Sequence, residues 1–256
     1  MKKGKCHICQ EETELTFEHI PPHKAFNSHT VKIIEGEELI KTICDESKIP
    51  WDYSNLKYSL NQKGMGMYSL CSRCNNLTGK YYGNEYIKFA NTIDGLFPEI
   101  LKHNENVIGI KVKEMNPLLF AKQVLSMLCS TCSCITRKNP EIKELLLNKS
   151  QRGIDTKKIR LSMFLLKGRK IAYTGVQYMF ISGIGLRAIA SIDAYPLGFL
   201  LEFDPKIECV ETDITSFFND YEDKTYDIEF GLPIFERNMP LSGDYRTKKE
   251  IIKCIE

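Results

Sequence analysis

The sequence predicts an α+β protein, with helices in its middle and an antiparallel β-sheet in its second half. Helices are predicted because apolar residues recur at helical spacing after residue 74. The sheet is predicted because β-branched and aromatic runs alternate with turn signals after residue 159. Two Cys-x2-Cys pairs further set residues 1–95 apart as a metal-stapled domain, followed by a helical and antiparallel-sheet region of unknown role over residues 96–256.

Composition and hydropathy exclude several classes of protein. Hydrophobic residues make up 43% of the 256-residue chain and charged residues 27%, values that exclude a wholly disordered or fibrous protein. No run approaches the ~18 to 20 consecutive apolar residues of a membrane span, and residues 1–5 lead into no hydrophobic signal core. We therefore expect a cytoplasmic protein without membrane contact, whose ten cysteines are reduced or bind metal.

Charge is distributed unevenly along the chain. The net charge of +2 gives no general basic footprint for nucleic acid. However, residues 151–187 contain eight lysines and arginines against one acid, whereas residues 188–229 contain eleven acids against two lysines. The basic cluster over residues 157–170 is therefore either a solvated hairpin or a surface that contacts phosphate.

Three helices are predicted in the middle of the chain. The first follows Cys74 and ends at Gly95, which can supply a left-handed C-terminal cap. Two Asn-Pro pairs then predict a buried helix over residues 118–135 and a short amphipathic helix over residues 141–148. In the first helix, Tyr81, Tyr82 and Tyr86 could stack on bases, but tyrosines at helical spacing more often belong to a core. We expect Tyr82 or Tyr86 to pack inward and Tyr81 to be partly exposed.

The second half of the chain is predicted to form an antiparallel meander. Five β-branched and aromatic runs are separated by turn residues, and they cover residues 160–166, 170–181, 185–192, 198–203 and 207–211. The tail beyond Gly231 is interrupted by Pro233 and Pro240, so little regular structure is expected there. The long polar segment between the two cysteine pairs likewise has little periodicity.

The four N-terminal cysteines have the spacing of a zinc site. Cys6-x2-Cys9 and Cys71-x2-Cys74 are two pairs separated by 61 residues. Each Cys-x2-Cys turn directs two sulfurs at one ion about 2.3 Å away, so two pairs complete a tetrahedral four-thiolate zinc site. The alternative is a set of scattered free thiols.

An acid, an imidazole and an amide lie beside these pairs. Glu18 and His19 end a short apolar run that stops at Pro21 and Pro22, and Asn75 directly follows the second pair. If zinc joins the pairs, the strand and the helix start become neighbours. Carboxylate and amide oxygens can ligate a hard divalent cation, and a neutral imidazole can deprotonate a water aimed at phosphorus. The alternative for His19 is a packed or surface imidazole.

With these motifs the sequence resembles the HNH, or ββα-metal, nuclease family over roughly residues 5–90. The resemblance rests on Cys6-x2-Cys9, on Glu18-His19-Ile20-x-Pro22 and on Cys71-x2-Cys74-Asn75. It implies a ββα-metal module that hydrolyses phosphodiester bonds of nucleic acid, with DNA as the default substrate rather than RNA.

The same resemblance implies a role for each matched residue. His19 would be the general base, Glu18 and Asn75 would bind a catalytic Mg²⁺ or Mn²⁺, and the four cysteines would bind structural Zn²⁺. The middle residue of the family's triad should lie in residues 61–70, where Asn61 and Gln62 are the candidates. Glu18 stands where an Asp is commoner, and Asn75 stands where the family often has a metal-binding His.

The remaining histidines and cysteines receive no firm role. We expect His7 to be a turn residue facing water. His23 has no matched partner and is expected to have no role, with substrate contact as the alternative because it is close to His19 in sequence. Cys129-x2-Cys132-x-Cys134 is interpreted as buried thiols of the apolar helix, because no second ligand cluster completes a tetrahedron. No role is assigned to the isolated residues His29, His103, Cys44, Cys209 and Cys254.

Two alternative functions stay open at this point. One is a zinc-ribbon module that binds nucleic acid or a protein partner without cleaving anything. The other keeps the nuclease but makes residues 159–230 a sensor or partner-binding unit, which would hold the site inactive until triggered, as in a defence or toxin-like role.

Overall fold

A computed structural model describes residues 2–43, 54–102, 106–168, 171–181, 185–206 and 211–235. Within these residues the chain forms a mixed α+β structure of three sheets and six α-helices. The predicted class is therefore confirmed at this level. None of the helices in the described ranges is long and apolar enough to cross a membrane.

The N-terminal sheet contains Glu18, His19 and Cys71. It contains β1 (Lys2–Lys5), β2 (Glu12–His19) and β5 (Gly66–Cys71) in the antiparallel order β1-β2-β5. The long connection from β2 to β5 contains β3 (Val31–Ile33), α1 (Gly36–Ile43) and β4 (Ser59–Asn61), with β3 and β4 paired to each other. This connection thus holds regular elements that its weak periodicity did not predict.

The helix predicted after Cys74 is two helices, α2 (Ser72–Tyr81) and α3 (Gly83–Ile100), separated at Tyr82. The predicted end at Gly95 was wrong, because Gly95 lies within α3. Ile93, Phe97 and Ile100 are buried on one face of α3, and their burial outweighs the cost of about 1 kcal/mol for a glycine inside a helix. The boundary expected at residue 95 also falls within this helix.

A buried helix lies at the centre of the molecule. Helix α4 (Pro117–Thr131) begins at Asn116, whose side-chain oxygen accepts a hydrogen bond from Leu119 N. Every residue of α4 from Pro117 to Ser130 is buried, which confirms the prediction of a helix apolar on nearly every side. Residues 118–135 do not form one helix, however. The chain turns extended at Cys132, where Gly175 of a neighbouring strand approaches closely.

Two short helices follow α4, namely α5 (Cys134–Lys138) and α6 (Pro140–Leu147). The second matches the predicted amphipathic helix. Its last carbonyl groups are capped from the core: Lys122 Nζ donates to the carbonyl oxygens of Asn148 and Lys149 at 2.7 and 2.9 Å, and Tyr82 Oη donates to Leu146 O at 2.9 Å. A fully buried lysine therefore connects α4 to the end of α6.

The large sheet has the order β6-β12-β7-β10-β9-β8, with β11 also paired to β7. Its strands, in chain order, are β6 (Val107–Met115), β7 (Ile159–Leu166), β8 (Ile171–Ile181), β9 (Gly185–Ala194), β10 (Leu197–Phe203), β11 (Thr212–Asp213) and β12 (Tyr226–Phe235). Four predicted runs become β7 to β10. Most of the fifth predicted run, at residues 207–210, lies outside the described residues.

The pairing differs from the predicted meander in two respects. Only β8, β9 and β10 follow one another in space, whereas β7 pairs with β10 on one side and, in parallel, with β12 on the other. Seven of the eight positions of β7 are buried, and all but Arg160 and Ser162 are apolar, as suits a strand that is covered on both faces. The unpredicted strand β12 continues through Gly231 and Pro233, so the expectation for the start of the tail was wrong.

Most of the buried apolar residues in the described ranges belong to one contiguous cluster. The four N-terminal cysteines belong to it, as do residues of α3, α4 and the large sheet. The N-terminal sheet is consequently supported by the rest of the molecule through a shared core.

Candidate metal centre and active site

Four buried cysteines form a metal-binding cluster. The Sγ atoms of Cys6, Cys9, Cys71 and Cys74 all lie within 4.8 Å of one another, and the Cys9 and Cys71 sulfurs are 3.9 Å apart. A tetrahedron of sulfurs about 2.3 Å from zinc has edges of about 3.8 Å. The cysteines are therefore positioned to bind one metal ion, in an arrangement consistent with structural zinc.

Local backbone geometry prepares this cluster. Cys6 and Cys9 lie in the turn between β1 and β2, while Cys71 ends β5 and is the N-cap residue of α2. Backbone amides point at the sulfurs: Cys71 N donates to Cys6 Sγ at 3.3 Å, and Cys74 N donates to Cys71 Sγ at 3.4 Å. Such donors favour the thiolate form that binds metal.

The pKa values of the clustered thiols are shifted in opposite directions. A hydrogen bond from Cys74 lowers the pKa of Cys6 to about 4, and the same bond raises the pKa of Cys74. Burial raises the pKa of Cys9. These opposed shifts arise because four thiolates cannot coexist so close together without a cation to neutralise them.

The first cysteine turn is anchored to the helices that follow α3. His7 Nδ1 lies 2.7 Å from Ser130 O, and Gln10 Nε2 donates to Thr136 Oγ1 at 2.7 Å and to Ser133 O at 3.1 Å. The Thr136 hydroxyl in turn donates to His7 O. His7 is therefore a half-buried turn residue, and the expectation that its imidazole faces water was wrong because α4 ends against it.

The start of α2 lies against β2, the arrangement expected if the two cysteine pairs come together. Asn75 Nδ2 donates to Thr16 Oγ1 at 2.9 Å and to Phe17 O at 3.2 Å. The pairing of β2 with β5 is irregular between Thr16 and Phe17, where the amide docks. Asn75 thus contacts the residues directly before Glu18.

Glu18 is a buried carboxyl, with only 7% of its surface exposed. Within the described residues it accepts no hydrogen bond and forms no ion pair. Burial alone raises its pKa to about 8. Such a group is neutral near pH 7 unless a cation stabilises the carboxylate.

The His19 side chain is half-buried, and one of its ring nitrogens is hydrogen-bonded to a backbone carbonyl. Its Nε2 lies 2.9 Å from Lys63 O, and its ring meets those of Phe17 and His23 edge to face at centroid distances of 5.0 and 5.1 Å. Because a carbonyl only accepts, Nε2 carries the hydrogen and Nδ1 keeps its lone pair. Burial lowers the pKa of His19, opposed by the Lys63 carbonyl and reinforced by the charges of His23 and Lys63.

Asn27 organises the loops around His19, and the sequence did not reveal it. This fully buried side chain donates to Pro21 O and Met65 O at 2.7 Å each and accepts from Met65 N at 2.6 Å. It thereby fixes the segment after His19 to the segment that carries Lys63. Its only sequence signal is that it is the first amide residue after the two prolines.

The candidates for a middle residue lie in the turn before β5. Asn61 Oδ1 accepts from Lys63 N at 3.0 Å, so Asn61 shapes the turn that presents the Lys63 carbonyl. Gln62 is exposed. Gly64, with a φ of +84°, lies against Asn27, where a Cβ atom would be 2.3 Å from Asn27 O.

Several other predicted features are placed by the structure. Cys129 is fully buried, as expected, but Cys132 and Cys134 are half-buried because the helix breaks there. Within the described ranges, the N-terminal cysteines are the only group of three or more His, Cys, Asp or Glu side chains suited to a metal. His103, Cys44, Cys209 and Cys254 lie outside the described residues.

The aromatic and basic residues divide between core and surface. Tyr82 and Tyr86 are fully buried and Tyr81 is 39% exposed, which confirms the expected division of the three tyrosines. Arg160 and Arg187 both bind the carboxylate of buried Glu202, the second with Nε 2.7 Å from Oε1. Two members of the basic segment are therefore engaged within the sheet rather than presented to phosphate.

Comparison with known proteins completes the description of this site. No protein-family model, no curated protein and no solved structure matches the chain.

Proposed function

We propose that this chain is a metal-dependent nuclease of the HNH type, which hydrolyses phosphodiester bonds of nucleic acid, with DNA as the expected substrate. The observation that carries the proposal is the contact of the Asn75 amide with Thr16 and Phe17, directly before the Glu18-His19 pair. In this proposal the Glu18 carboxyl, the His19 imidazole and the Asn75 amide act together on the phosphodiester, where the four-cysteine cluster joins a β-hairpin to a helix start. Zn²⁺ is the proposed ion at the cysteines.

Glu18 and Asn75 are the proposed ligands of a catalytic Mg²⁺ or Mn²⁺. The buried carboxyl of Glu18 has no hydrogen-bond partner among the described residues, and a divalent cation would supply the missing stabilisation. Both hydrogen bonds of Asn75 use Nδ2, which leaves Oδ1 to ligate. Mg²⁺ commonly takes one or two protein oxygens and fills its shell with water and phosphate. Such an ion neutralises charge on the phosphate and on the leaving oxygen.

His19 is the proposed general base. Its hydrogen bond to Lys63 O fixes the ring and the tautomer, so Nδ1 is the nitrogen that accepts the proton of the attacking water. Its lowered pKa keeps the ring neutral at pH 7, as a base must be before the reaction. Asn27 contributes by holding the two loops that fix this ring.

Cleavage assays on the full chain test the proposal. Purified protein is incubated with plasmid DNA and with RNA in Mg²⁺ or Mn²⁺, beside His19→Ala and the control His29→Ala, which changes an exposed histidine. We expect cleavage by the wild type and by His29→Ala, and a loss of roughly 100-fold or more in His19→Ala.

Two outcomes would count against parts of this proposal. If His19→Ala cleaves as fast as the wild type, His19 is not the general base. A zinc-loaded, folded wild type that cleaves neither polymer with either ion would favour the non-catalytic zinc-ribbon module.

A further inference from the structure

We infer that Lys80, Tyr81 and Lys149 form a second binding site for the substrate strand, which takes the phosphate and the base of an unpaired nucleotide. This inference rests on the proposed nuclease function and adds a substrate-binding surface to it. Lys80 and Tyr81 are the last two residues of α2, the helix whose first turn carries Asn75, and Lys149 follows α6.

Two ammonium groups converge on one exposed aromatic ring. Tyr81 is the last residue of α2, and Lys80 Nζ lies 5.2 Å from its ring centroid. Lys149, from the segment after α6, places Nζ 5.5 Å from the same centroid. Attraction between the cations and the ring offsets part of the repulsion between the like charges. The remaining positive potential favours an anion at this point.

Lys149 is held in place by contacts with Lys122 and Asp223. Lys149 O accepts from the buried Lys122 Nζ at 2.9 Å, and Lys149 Nζ lies 2.8 Å from Asp223 Oδ2. Asp223 therefore neutralises part of the charge of Lys149. Lys80 forms no ion pair within the part of the chain that the structure describes, so its charge faces solvent.

A strand can pass from the proposed catalytic residues to this cluster. Asn75 and Tyr81 are six positions apart on one helix, or about 9 Å along its axis. Gly79 lies one turn beyond Asn75 on the same face of α2, is exposed, and would place a Cβ atom with nothing within 4 Å. The surface of α2 directly beyond Asn75 is therefore open at Gly79.

The chemistry of the cluster favours an unpaired nucleotide over other anions. Lysines bind phosphate in any nucleic acid, but an exposed ring adds stacking energy only where a base face is accessible. The bases of a duplex already stack on each other. We therefore expect the site to contact single-stranded DNA or RNA, or an unpaired nucleotide next to the scissile bond.

Binding measurements on the full chain test this site. His19→Ala serves as the parent because we expect it to prevent cleavage, and fluorescence anisotropy reports its affinity for labelled single-stranded DNA, RNA of the same sequence, and duplex DNA. The variants Lys80→Gln, Tyr81→Leu and Lys149→Gln are made in this parent. Lys102→Gln and Tyr178→Leu are matched controls, because both change exposed residues away from α2.

We expect Tyr81→Leu to weaken single-strand binding about tenfold and to change duplex binding little. Each lysine variant should lower the slope of log affinity against log salt by about 0.7 for single strands. The controls should stay within about twofold of the parent. DNA and RNA arms that differ in affinity identify which polymer the site prefers.

The inference is overturned if the parent binds no oligonucleotide, or if Tyr81→Leu and Lys80→Gln bind as the parent does. Wild-type cleavage, measured in parallel, separates the two proposals. If the wild type cleaves and the variants at Lys80, Tyr81 and Lys149 bind as the parent does, only the second binding site is contradicted. If the variants lose binding but the wild type does not cleave, only the nuclease proposal is contradicted.

Discussion

The imidazole of His19 and the backbone carbonyl of Lys63 lie 2.9 Å apart, although 44 positions separate them in the chain. This hydrogen bond fixes the ring that we propose as the general base. It depends on a loop that the side chain of Asn27 holds closed by three hydrogen bonds to backbone groups.

Asn27 should be needed for both stability and cleavage. Asn27→Ala leaves the Met65 amide and two carbonyl groups without their buried partner, so we expect unfolding to become easier by about 2–4 kcal/mol. Cleavage should fall at least about tenfold as the loop of Lys63 loosens. Urea unfolding and plasmid cleavage measure both effects. The control Asn76→Ala, on the exposed side of α2, should change stability by less than ~0.5 kcal/mol. Wild-type stability in Asn27→Ala would contradict the loop-holding role.

The cysteine cluster should hold one zinc ion per chain. Cys71→Ser removes a thiolate ligand but keeps a side chain that can cap α2, so zinc should be lost, and the docking of Asn75 should loosen because the ion no longer joins the two cysteine pairs. Elemental analysis by mass spectrometry and near-ultraviolet circular dichroism report the two losses. Cys132→Ser, which changes a half-buried thiol outside the cluster, should retain the zinc. A metal-free wild type, or equal zinc in both variants, would contradict a four-thiolate zinc site.

Buried Lys122 should make stability rise with pH in the alkaline range. Burial lowers the pKa of Lys122 to about 8 in the folded chain, against 10.5 as the ordinary value. Between these pH values the unfolded chain binds more protons, so raising the pH favours the folded state by an amount on the order of 2–3 kcal/mol. The wild type should therefore gain stability relative to Lys122→Met as pH rises from 7 to about 10.

Denaturant unfolding at several pH values measures this difference, because other titrating groups contribute equally to both proteins. The control is Lys88→Met, which changes an exposed lysine whose Nζ also donates to a backbone carbonyl, that of Glu114. Its stability difference from the wild type should not follow the same curve. A stability difference for Lys122→Met that stays constant with pH would contradict the prediction.

Two glycines should respond in opposite ways to alanine. Gly95→Ala should stabilise the protein by about 0.5–1 kcal/mol, because Gly95 lies inside α3 with open space where a Cβ would be. Gly66→Ala should destabilise it strongly, since its Cβ would lie 2.1 Å from Glu18 O on the paired strand. Thermal unfolding compares the two variants. If Gly95→Ala were destabilising, α3 would end at Gly95 instead of continuing to Ile100.

Local signals in the sequence were sufficient for several elements. The two Cys-x2-Cys pairs predicted the metal cluster, and the Asn-Pro pairs predicted the starts of α4 and α6. The unbroken apolar character of residues 118–131 predicted that α4 is enclosed on all sides. These features were readable because each depends on residues that are neighbours in the chain.

Features set by distant residues could not be read in this way. The end of α3 depends on burial of Phe97 and Ile100, which outweighs the local preference of Gly95. The charge pattern indicated that residues 151–187 could contact phosphate. In the sheet, however, Arg160 and Arg187 both bind the carboxylate of Glu202.

The sequence by itself determined the four-cysteine cluster, the α+β class and the short acidic and imidazole motif, because spacing and periodicity are properties of adjacent residues. Only the tertiary structure decided that β7 lies between β10 and β12, that Asn27 holds the loops around His19, and that Lys149 joins Lys80 at Tyr81. The physical reason is that strand partners and buried hydrogen bonds are chosen by which distant surfaces pack together.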